Sequence, residues 1–278
     1  MSFILKRACT PEAAASFTPE VLREHFHLAG LFKKGSAMLA AWEVDRTLVG
    51  GIVPGDTPIP LEAPEFLHAG SFCERREAGV LNIGGPGSVE VDGQLHEMQT
   101  LDGLYLGRGS RKILFASADS AAPAQFYLLS YPAHASFPTT RIPRDSVKPL
   151  ELGGAATANE RHLFKVIQPE TVASCQLVMG YTAIQPGSVW NTMPPHTHER
   201  RSEVYCYFGM EPSALVVHLM GEPQRTRHLV MRNHEVVLSP PWSIHAGAGT
   251  AAYTFIWGMG GENQDFTDMD GCPMTELL

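Results

Sequence analysis

Short runs of β-branched and aromatic residues, interrupted by Gly, Pro, Asn and Asp, dominate the chain. The run 251–257 carries apolar residues on both of its faces, which is typical of a strand buried between two layers. Shorter apolar runs at 176–182, 203–208 and 236–238 are each followed by a turn rich in Gly or Pro. This pattern predicts an all-β protein built from many short strands.

Helical signals are confined to the N-terminal region. Thr18 and Pro19 form a good N-cap and first helical position, and they predict a helix over residues 19–26. A second short helix is predicted around residues 10–17. We therefore expect only a few short helices beside the strands.

Composition and charge narrow the class of protein. The 278 residues are 44% hydrophobic and 18% charged, as in ordinary globular proteins. The net charge of −8 argues against nucleic-acid binding, which depends on clustered Lys and Arg. Five cysteines without a C-x-x-C pair argue against a disulfide framework, and the sequence shows no signal peptide or membrane-spanning segment. We expect a cytoplasmic protein whose partner is a small molecule.

A polar stretch between about 138 and 160, interrupted by Pro and Gly-Gly, predicts two domains, residues 1–150 and 151–278. Glu74-Arg75-Arg76 and Glu199-Arg200-Arg201 lie 125 residues apart, and Gly84 and Gly209 keep the same offset. Strand-like runs follow both triplets. The sequence therefore predicts that the two domains are copies of each other.

A histidine pair in the second half offers metal ligands. Side chains at i and i+2 share one face of a strand, so the rings of His196 and His198 can enter the same space. Glu203 has the opposite parity, but the polar insert 199–202 is typical of a turn that would bring Glu203 back to the same pocket. Two imidazoles and a carboxylate suit a divalent metal, and His245, after a Pro-rich turn, offers a fourth ligand.

The 125-residue offset places Ser71, Cys73 and Ala78 at the positions of His196, His198 and Glu203. These three residues do not form a plausible ligand set. We therefore expect the first domain to lack metal ligands.

The motif His196-x-His198-x4-Glu203 with His245 resembles the metal motif of the cupin superfamily, whose fold is a double-stranded β-helix barrel. Two copies would make a bicupin. Longer strings, at 190–194, 196–201, 242–245 and 253–264, closely resemble the 5-keto-4-deoxyuronate isomerase family. So do residues 74–77 and 82–85 in the first half.

The resemblance implies a cytoplasmic zinc-containing ketol-isomerase of pectin degradation, usually a hexamer, with one zinc ion per chain. Its reaction converts 5-dehydro-4-deoxy-D-glucuronate to 3-deoxy-D-glycero-2,5-hexodiulosonate. Carried over by position, the zinc ligands are His196, His198, Glu203 and His245.

Such a reaction needs a group that moves a proton and a cation that binds the substrate carboxylate. Candidates for proton transfer, among which the sequence does not choose, are Glu199, Tyr205 and His218. Candidates for the cation are Arg200, Arg201, Arg225, Arg227 and Lys165. Trp190 and Trp242 flank the metal segments and either stack on the substrate or pack in the core.

Two other functions are compatible with the same residues. One is an iron(II)-dependent cupin dioxygenase, which would use the same ligands. The other is a non-enzymatic bicupin that binds sugar acids.

Overall fold

Strands are the main secondary structure in the computed structural model, which describes residues 2–278. The strands of this range are β1 Ser2–Lys6, β2 His27–Leu28, β3 Ser36–Trp42, β4 Thr47–Val53, β5 Ile59–Pro60, β6 Arg76–Asn82, β7 Gly87–Val91, β8 Gln94–Met98, β9 Gly103–Leu106, β10 Ile113–Ser117, β11 Phe126–Pro132, β12 Thr140–Ile142, β13 Leu150–Leu152, β14 Arg161–Ile167, β15 Val178–Ile184, β16 Trp190–Asn191, β17 His196–Thr197, β18 Arg201–Phe208, β19 Val216–Met220, β20 Arg227–Met231, β21 Val236–Ser239, β22 Ala246–Gly249, β23 Thr254–Gly261 and β24 Asp270–Gly271.

Two short α-helices lie near the N-terminus, α1 Pro11–Ala15 and α2 Pro19–Phe26. The hydroxyl of Thr18 accepts a hydrogen bond from the backbone N–H of Val21, so α2 begins with the predicted cap. Short 3-10 turns occur at Val44–Arg46, Glu65–Leu67, Arg144–Ser146, Ala155–Thr157 and Met274–Glu276. Among the described helices, none is long and apolar enough to cross a membrane. The predicted helices are confirmed.

The chain divides into two compact units, each assembled from separate segments. Unit 1 contains residues 1–6, 30–148 and 166–179, and unit 2 contains residues 7–29, 149–165 and 180–278. The sequence analysis placed 7–29 with the first half and 166–179 with the second, and in the structure each belongs to the other unit. The division into independent domains 1–150 and 151–278 stays a prediction.

Unit 1 is built around two sheets. Its seven-stranded sheet has the order β1-β3-β4-β11-β6-β9-β12, and its four-stranded sheet has the order β5-β10-β7-β8. Their inward side chains form an apolar core that includes Leu39, Val80, Leu104, Phe115 and Phe126, all fully buried. Strands β6 and β11 lie in the middle of the larger sheet and pair antiparallel, with Arg76 opposite Pro132.

The two main sheets of unit 2 repeat this plan. The larger has the order β13-β14-β15-β23-β18-β21-β2 and the smaller β16-β22-β19-β20. At its centre β18 pairs antiparallel with β23 and β21, as β6 pairs with β11 and β9 in unit 1. The equal sheet orders confirm the predicted internal duplication and the all-β, two-barrel fold class. A further pair, β17 with β24, occurs only in the second copy among the described strands.

Some strand boundaries differ from those of the apolar runs. The run 251–257 predicted a strand that in fact begins at Thr254, and the strand predicted from residue 176 begins at Val178. Cys175, just before that run, lies in the preceding loop and is half-buried. The strands begin later because they start where backbone pairing with the neighbouring strand begins, and apolarity alone does not report pairing.

Arg227, predicted as a candidate for binding substrate, holds α1 in place. Its Nη1 donates to the carbonyl of Ala15 at 2.7 Å, and its Nη2 donates to the carbonyl of Phe17 at 2.5 Å. Ala15 is the last residue of α1 and Phe17 lies just after the helix, so neither carbonyl has a helical partner and the guanidinium satisfies both. Arg227 is therefore a structural residue.

Replacing Arg227 should destabilise unit 2. We expect Arg227→Gln to lower the free energy of unfolding by about 1.5–3 kcal/mol, the usual range for hydrogen bonds from a charged group. Arg225 is the matched control, because its side chain is 59% exposed and lies 4.0 Å from Glu222. Arg225→Gln should change stability by less than about 0.5 kcal/mol in urea unfolding. Equal stabilities of the two variants would contradict the structural role of Arg227.

Candidate metal centre

The turn between β17 and β18 determines where Glu203 points. His196 lies on β17, which pairs with β24, whereas Glu203 is the third residue of β18 and lies opposite Met259 of β23. Because the chain reverses between the two strands, the alternation of side-chain direction along β17 does not continue into β18. The carboxylate of Glu203 therefore reaches the same space as the two imidazoles, as the spacing predicted.

His245 comes from the turn that joins β21 to β22. This turn is fixed by backbone hydrogen bonds, from Ser243 N–H to the Pro240 carbonyl and from Ile244 N–H to the Gly221 carbonyl, both at 2.9 Å. The ring of His245 is only 1% exposed. A rigid turn therefore presents a fourth nitrogen to the cluster.

The four side chains meet in the interior of unit 2. One ligand atom from each of His196, His198, Glu203 and His245 lies within 4.8 Å of the other three. Glu203 Oε2 is 2.8 Å from His245 Nε2 and 3.1 Å from His198 Nε2, and the Nε2 atoms of His245 and His196 are 3.0 Å apart. Within residues 2–278 this is the one group of its kind.

The hydrogen bond of His198 fixes its tautomer. Its Nδ1 lies 2.6 Å from the backbone carbonyl of Asp268, which can only accept, so Nδ1 carries the proton. In the neutral ring Nε2 then presents a lone pair to the carboxylate of Glu203. Two lone pairs facing each other in the interior repel, and a cation between them would convert the repulsion to coordination. The donor set therefore fits a divalent metal. The hydrogen bond from His198 Nδ1 to a backbone carbonyl is also typical of histidines that bind metal through Nε2.

Electrostatics favours the ligating form of these residues. Burial raises the pKa of Glu203, but the electrostatic interaction with His245 and the close contact with the His198 ring outweigh burial, so the pKa lies well below its ordinary value. Burial, with a smaller contribution from His245, lowers the pKa of His196 to about 2. An ionised carboxylate and a neutral imidazole are the forms that bind metal.

A C-terminal loop supports the centre from outside. Arg200 forms an ion pair with Asp268, with Nε 3.0 Å from Oδ1, and the fully buried Arg201 donates from Nη2 to the Asp268 carbonyl at 3.0 Å. That same carbonyl accepts the proton of His198. Both arginines were candidates for the substrate cation, and both instead position the loop that orients a cluster histidine.

A cavity of about 160 Å³ opens next to the cluster. It is lined by Leu152, Arg161, Leu163, Thr182, Asn191, Thr192, His196, His198, Glu203, Tyr205, Phe255, Trp257, Met259, Phe266 and Met269. About half of these side chains are apolar, and three of the polar ones, His196, His198 and Glu203, belong to the cluster. A small, largely apolar cavity with a few convergent polar groups is typical of a ligand site.

Of the three candidates for proton transfer, Tyr205 alone lines this cavity. Its hydroxyl is 3.3 Å from the hydroxyl of Thr192, and burial raises its pKa well above the ordinary value, so the phenol stays neutral. Glu199 is exposed in the turn. His218 is fully buried behind the cavity, where its Nδ1 is 2.8 Å from the hydroxyl of Tyr207.

The remaining predicted cations lie elsewhere, and one residue was missed. Arg225 is exposed, and Lys165 lies over the ring of Phe266 at 4.1 Å without lining the cavity. Arg161, the first residue of β14, is the one arginine or lysine among the described lining residues. Its Nη1 donates to the carbonyl of Asn159 at 2.9 Å. The sequence around Arg161 carries no motif that distinguishes it from a surface residue.

Neither predicted tryptophan lines the cavity. Trp242 packs edge-on against Phe26 of α2, with ring centres 6.0 Å apart, and Trp190 lies half-buried on β16. The tryptophan at the cavity is Trp257, whose Nε1 donates to the hydroxyl of Thr182 at 3.1 Å. For Trp242 the core-packing interpretation is confirmed.

Paired sheets of equal order and a buried three-histidine, one-carboxylate cluster define a cupin-type protein with a candidate metal centre. Comparison with known proteins identifies the branch: the model of the KduI/IolB family matches residues 31–271. The chain belongs to this family.

Relatives that span almost the whole chain carry one name. The 4-deoxy-L-threo-5-hexosulose-uronate ketol-isomerase of Lachnoclostridium phytofermentans is 49% identical over 98% of this chain and 99% of its own. Isomerase 2 of Rhizobium meliloti is 49% identical over 100% of this chain and 98% of its own. These relatives confirm the predicted resemblance and the enzyme class, a ketol-isomerase.

Solved structures confirm the fold. An IolB-like protein from Salmonella typhimurium has a TM-score of 0.67 at 14% identity and covers 92% of this chain and 91% of its own. The oxalate decarboxylase of Lactobacillus farciminis has a TM-score of 0.57 at 10% identity and covers 79% of this chain and 78% of its own. At such identities the likeness concerns the fold alone.

Burial of His218 should make stability depend on pH. Burial, with a smaller contribution from His245, lowers the pKa of His218 to about 3, whereas the ring titrates near 6.5 in the unfolded chain. Below pH 6.5 the unfolded chain binds a proton that the folded chain does not, so the free energy of unfolding falls as the pH drops. The slope from this residue approaches about 1.4 kcal/mol per pH unit.

His218→Asn should remove that slope, because the amide can still hydrogen-bond to Tyr207 but does not titrate. Urea unfolding of the metal-free protein between pH 4.5 and 7 measures the difference. Parallel stability curves for both proteins would show that His218 does not stay neutral in the folded state.

Proposed function

We propose that this protein is a zinc-dependent aldose-ketose isomerase that converts 5-dehydro-4-deoxy-D-glucuronate to 3-deoxy-D-glycero-2,5-hexodiulosonate. The observation that carries the proposal is the cluster of His196, His198, Glu203 and His245 beside a small cavity. The names of relatives 49% identical over nearly the full length support the reaction and the substrate.

Zinc suits the cluster because imidazole nitrogen and carboxylate oxygen are among its usual ligands and because it does not change oxidation state. When bound, it supplies Lewis acidity that stabilises negative charge on oxygen as a proton leaves the neighbouring carbon. The three imidazoles and the carboxylate of Glu203 would hold it. A redox-inactive ion also fits an isomerisation, in which the oxidation and the reduction occur within one substrate molecule.

Arg161 binds the substrate carboxylate in this proposal. It is the one arginine or lysine among the described lining residues, and its partial burial strengthens a charge-assisted bond to an anion. A guanidinium can engage both carboxylate oxygens, which fixes the orientation of the carbon chain. The aldehyde end of the substrate is then directed toward the histidine cluster.

Tyr205 acts as a hydrogen-bond donor in this proposal. Its phenol is neutral and lines the cavity beside Glu203, two residues away on the same face of β18. Converting the aldose to the ketose moves one proton from C2 to C1 and one from the C2 hydroxyl to the C1 oxygen. A neutral phenol stabilises the oxygen on which negative charge develops during this transfer.

The family resemblance supports three further proposals about the setting of the enzyme. The reaction belongs to pectin degradation, the enzyme is cytoplasmic, and it assembles as a hexamer with one zinc per chain. Size-exclusion chromatography with light scattering tests the assembly.

Activity should depend on a metal held by the cluster. We expect chelator-treated protein to lose at least 100-fold in kcat and to recover on addition of one equivalent of zinc, because removing Lewis-acid stabilisation costs several kcal/mol. His245→Ala should bind zinc more weakly and lose the activity. His228→Gln, an exposed histidine on β20, is the control and should keep both the zinc affinity and the activity. Undiminished turnover by metal-free protein would refute the proposal, as would an iron and oxygen requirement.

Removing the guanidinium from the cavity should weaken substrate binding. We expect Arg161→Gln to lower kcat/KM by about 10–150-fold, mainly through KM, since a hydrogen bond to a charged group contributes about 1.5–3 kcal/mol. Arg161→Lys should recover part of the loss, and the exposed Arg225→Gln should stay within threefold of the parent. Steady-state kinetics measures all three variants. An unchanged KM in Arg161→Gln would place the carboxylate elsewhere.

A further inference from the structure

A second cavity, inside unit 1, carries an unusual concentration of positive charge. Its volume is about 270 Å³, and three arginines line it, Arg46, Arg75 and Arg76. The rest of its wall is apolar and includes Leu67, Phe72 and Pro132, and no acidic residue lines it. In a chain with a net charge of −8, this grouping calls for a local explanation.

Arg76 is the buried member of the group. It is only 7% exposed. Its Nε donates to the hydroxyl of Ser130 at 3.1 Å. Its Nη2 donates to the carbonyl of Ser130 at 2.8 Å and to the carbonyl of Arg46 at 2.6 Å. All these acceptors are neutral, so they orient the guanidinium without compensating its charge. A buried charge in this state is costly unless a counter-ion accompanies it.

The second copy of the fold shows how such a charge is usually compensated. Arg201 begins β18 as Arg76 begins β6, and it is also buried. In unit 2 the carboxylate of Asp268 lies 3.9 Å from Arg201 Nε. Arg76 forms no ion pair with a described residue, and burial lowers its pKa to about 10. Both copies therefore have a buried arginine at this position, but among the described residues only Arg201 has a carboxylate within 4.0 Å.

The other two arginines give the cavity one fixed donor and one adaptable donor. Nη2 of Arg75 donates to the carbonyls of Leu67 and His68, at 2.7 and 2.8 Å, and its Nη1 pairs with Glu74 at 2.5 Å. Glu74 compensates the charge of Arg75, whereas the charges of Arg46 and Arg76 are not compensated by this carboxylate. Arg46 is exposed and can close on a ligand.

We propose that this cavity binds a compact organic oxyanion, meaning a small molecule with a carboxylate or phosphate group on a short carbon skeleton. Guanidinium groups pair with the planar or tetrahedral oxygens of such a group through parallel hydrogen bonds. The apolar wall formed by Leu67, Phe72 and Pro132 contacts the carbon skeleton. The volume of about 270 Å³ admits a molecule about the size of a monosaccharide acid.

Thermal unfolding and calorimetry of the full-length protein test this site. The probes are inorganic phosphate, D-galacturonate and D-glucose 6-phosphate, at constant ionic strength so that screening does not contribute. We expect at least one organic anion to raise the unfolding midpoint in a saturable way, by roughly 5–10 °C at 100 times its Kd. That anion should bind at least tenfold more tightly than inorganic phosphate. Comparing D-galacturonate with D-glucose 6-phosphate shows whether the site prefers a carboxylate or a phosphate group.

Variants locate the binding. Arg46→Gln combined with Arg75→Gln should weaken it at least tenfold, and Arg144→Gln, an exposed arginine of unit 1 outside the cavity, should leave it unchanged. Binding should persist in Arg161→Gln, which separates this site from the cavity of unit 2. No saturable effect from any probe would overturn the proposal, and so would undiminished binding to the double variant. A double variant that instead changes oligomeric state would show that a second copy supplies the counter-charge, which also overturns it.

Discussion

Three imidazole rings and one buried carboxylate that converge within 4.8 Å are the constraint on which the rest of unit 2 depends. Because His198 gives its only proton to the Asp268 carbonyl, its inner nitrogen faces Glu203 as a lone pair. This arrangement is unfavourable without positive charge between the groups and favourable with it. The fold keeps it because each side chain is held by separate backbone pairing, on β17, on β18 and in the turn before β22. The cluster is therefore prepared for a cation by the scaffold.

Duplication of one β plan places different side chains at equivalent positions of the two units. At the positions of His198 and Glu203, unit 1 has Cys73 and Ala78, both fully buried in its apolar core. Burial raises the pKa of Cys73 to about 12, which keeps the thiol protonated and a poor metal ligand. In unit 1 these positions therefore contribute to packing, and a buried arginine begins its central strand as one does in unit 2.

Residue spacing was sufficient to predict the histidine cluster, whereas contacts that depend on tertiary pairing could not be predicted from the sequence. The two-residue period of a strand and the polar turn at 199–202 were enough to bring His196, His198 and Glu203 together, and a Pro-rich turn indicated His245. Arg161 was missed because it reaches the cavity only through the pairing of β14 within the sheet.

Other differences have the same cause. The sequence analysis predicted ligand-binding roles for Arg200, Arg201 and Arg227. Their actual partners are backbone carbonyls or an aspartate far along the chain, and sequence spacing does not reveal such partners. Likewise, the strand β2 joins the sheet of unit 2 by pairing with β21, so the N-terminal helices belong to a unit that sequence position alone does not indicate. The spacing of residues along the chain was therefore enough to predict the histidine cluster, whereas the residues around it depend on strand pairing between distant segments.

Zinc K-edge X-ray absorption on protein loaded with one equivalent of zinc tests the central claim most directly. The account requires one tightly bound ion per chain, with a first shell of nitrogen and oxygen at about 2.0–2.2 Å and the scattering signature of three imidazoles. In His245→Ala the imidazole count should fall and the affinity should drop. Zinc bound with sulfur ligands, or with the same imidazole count in that variant, would contradict the account.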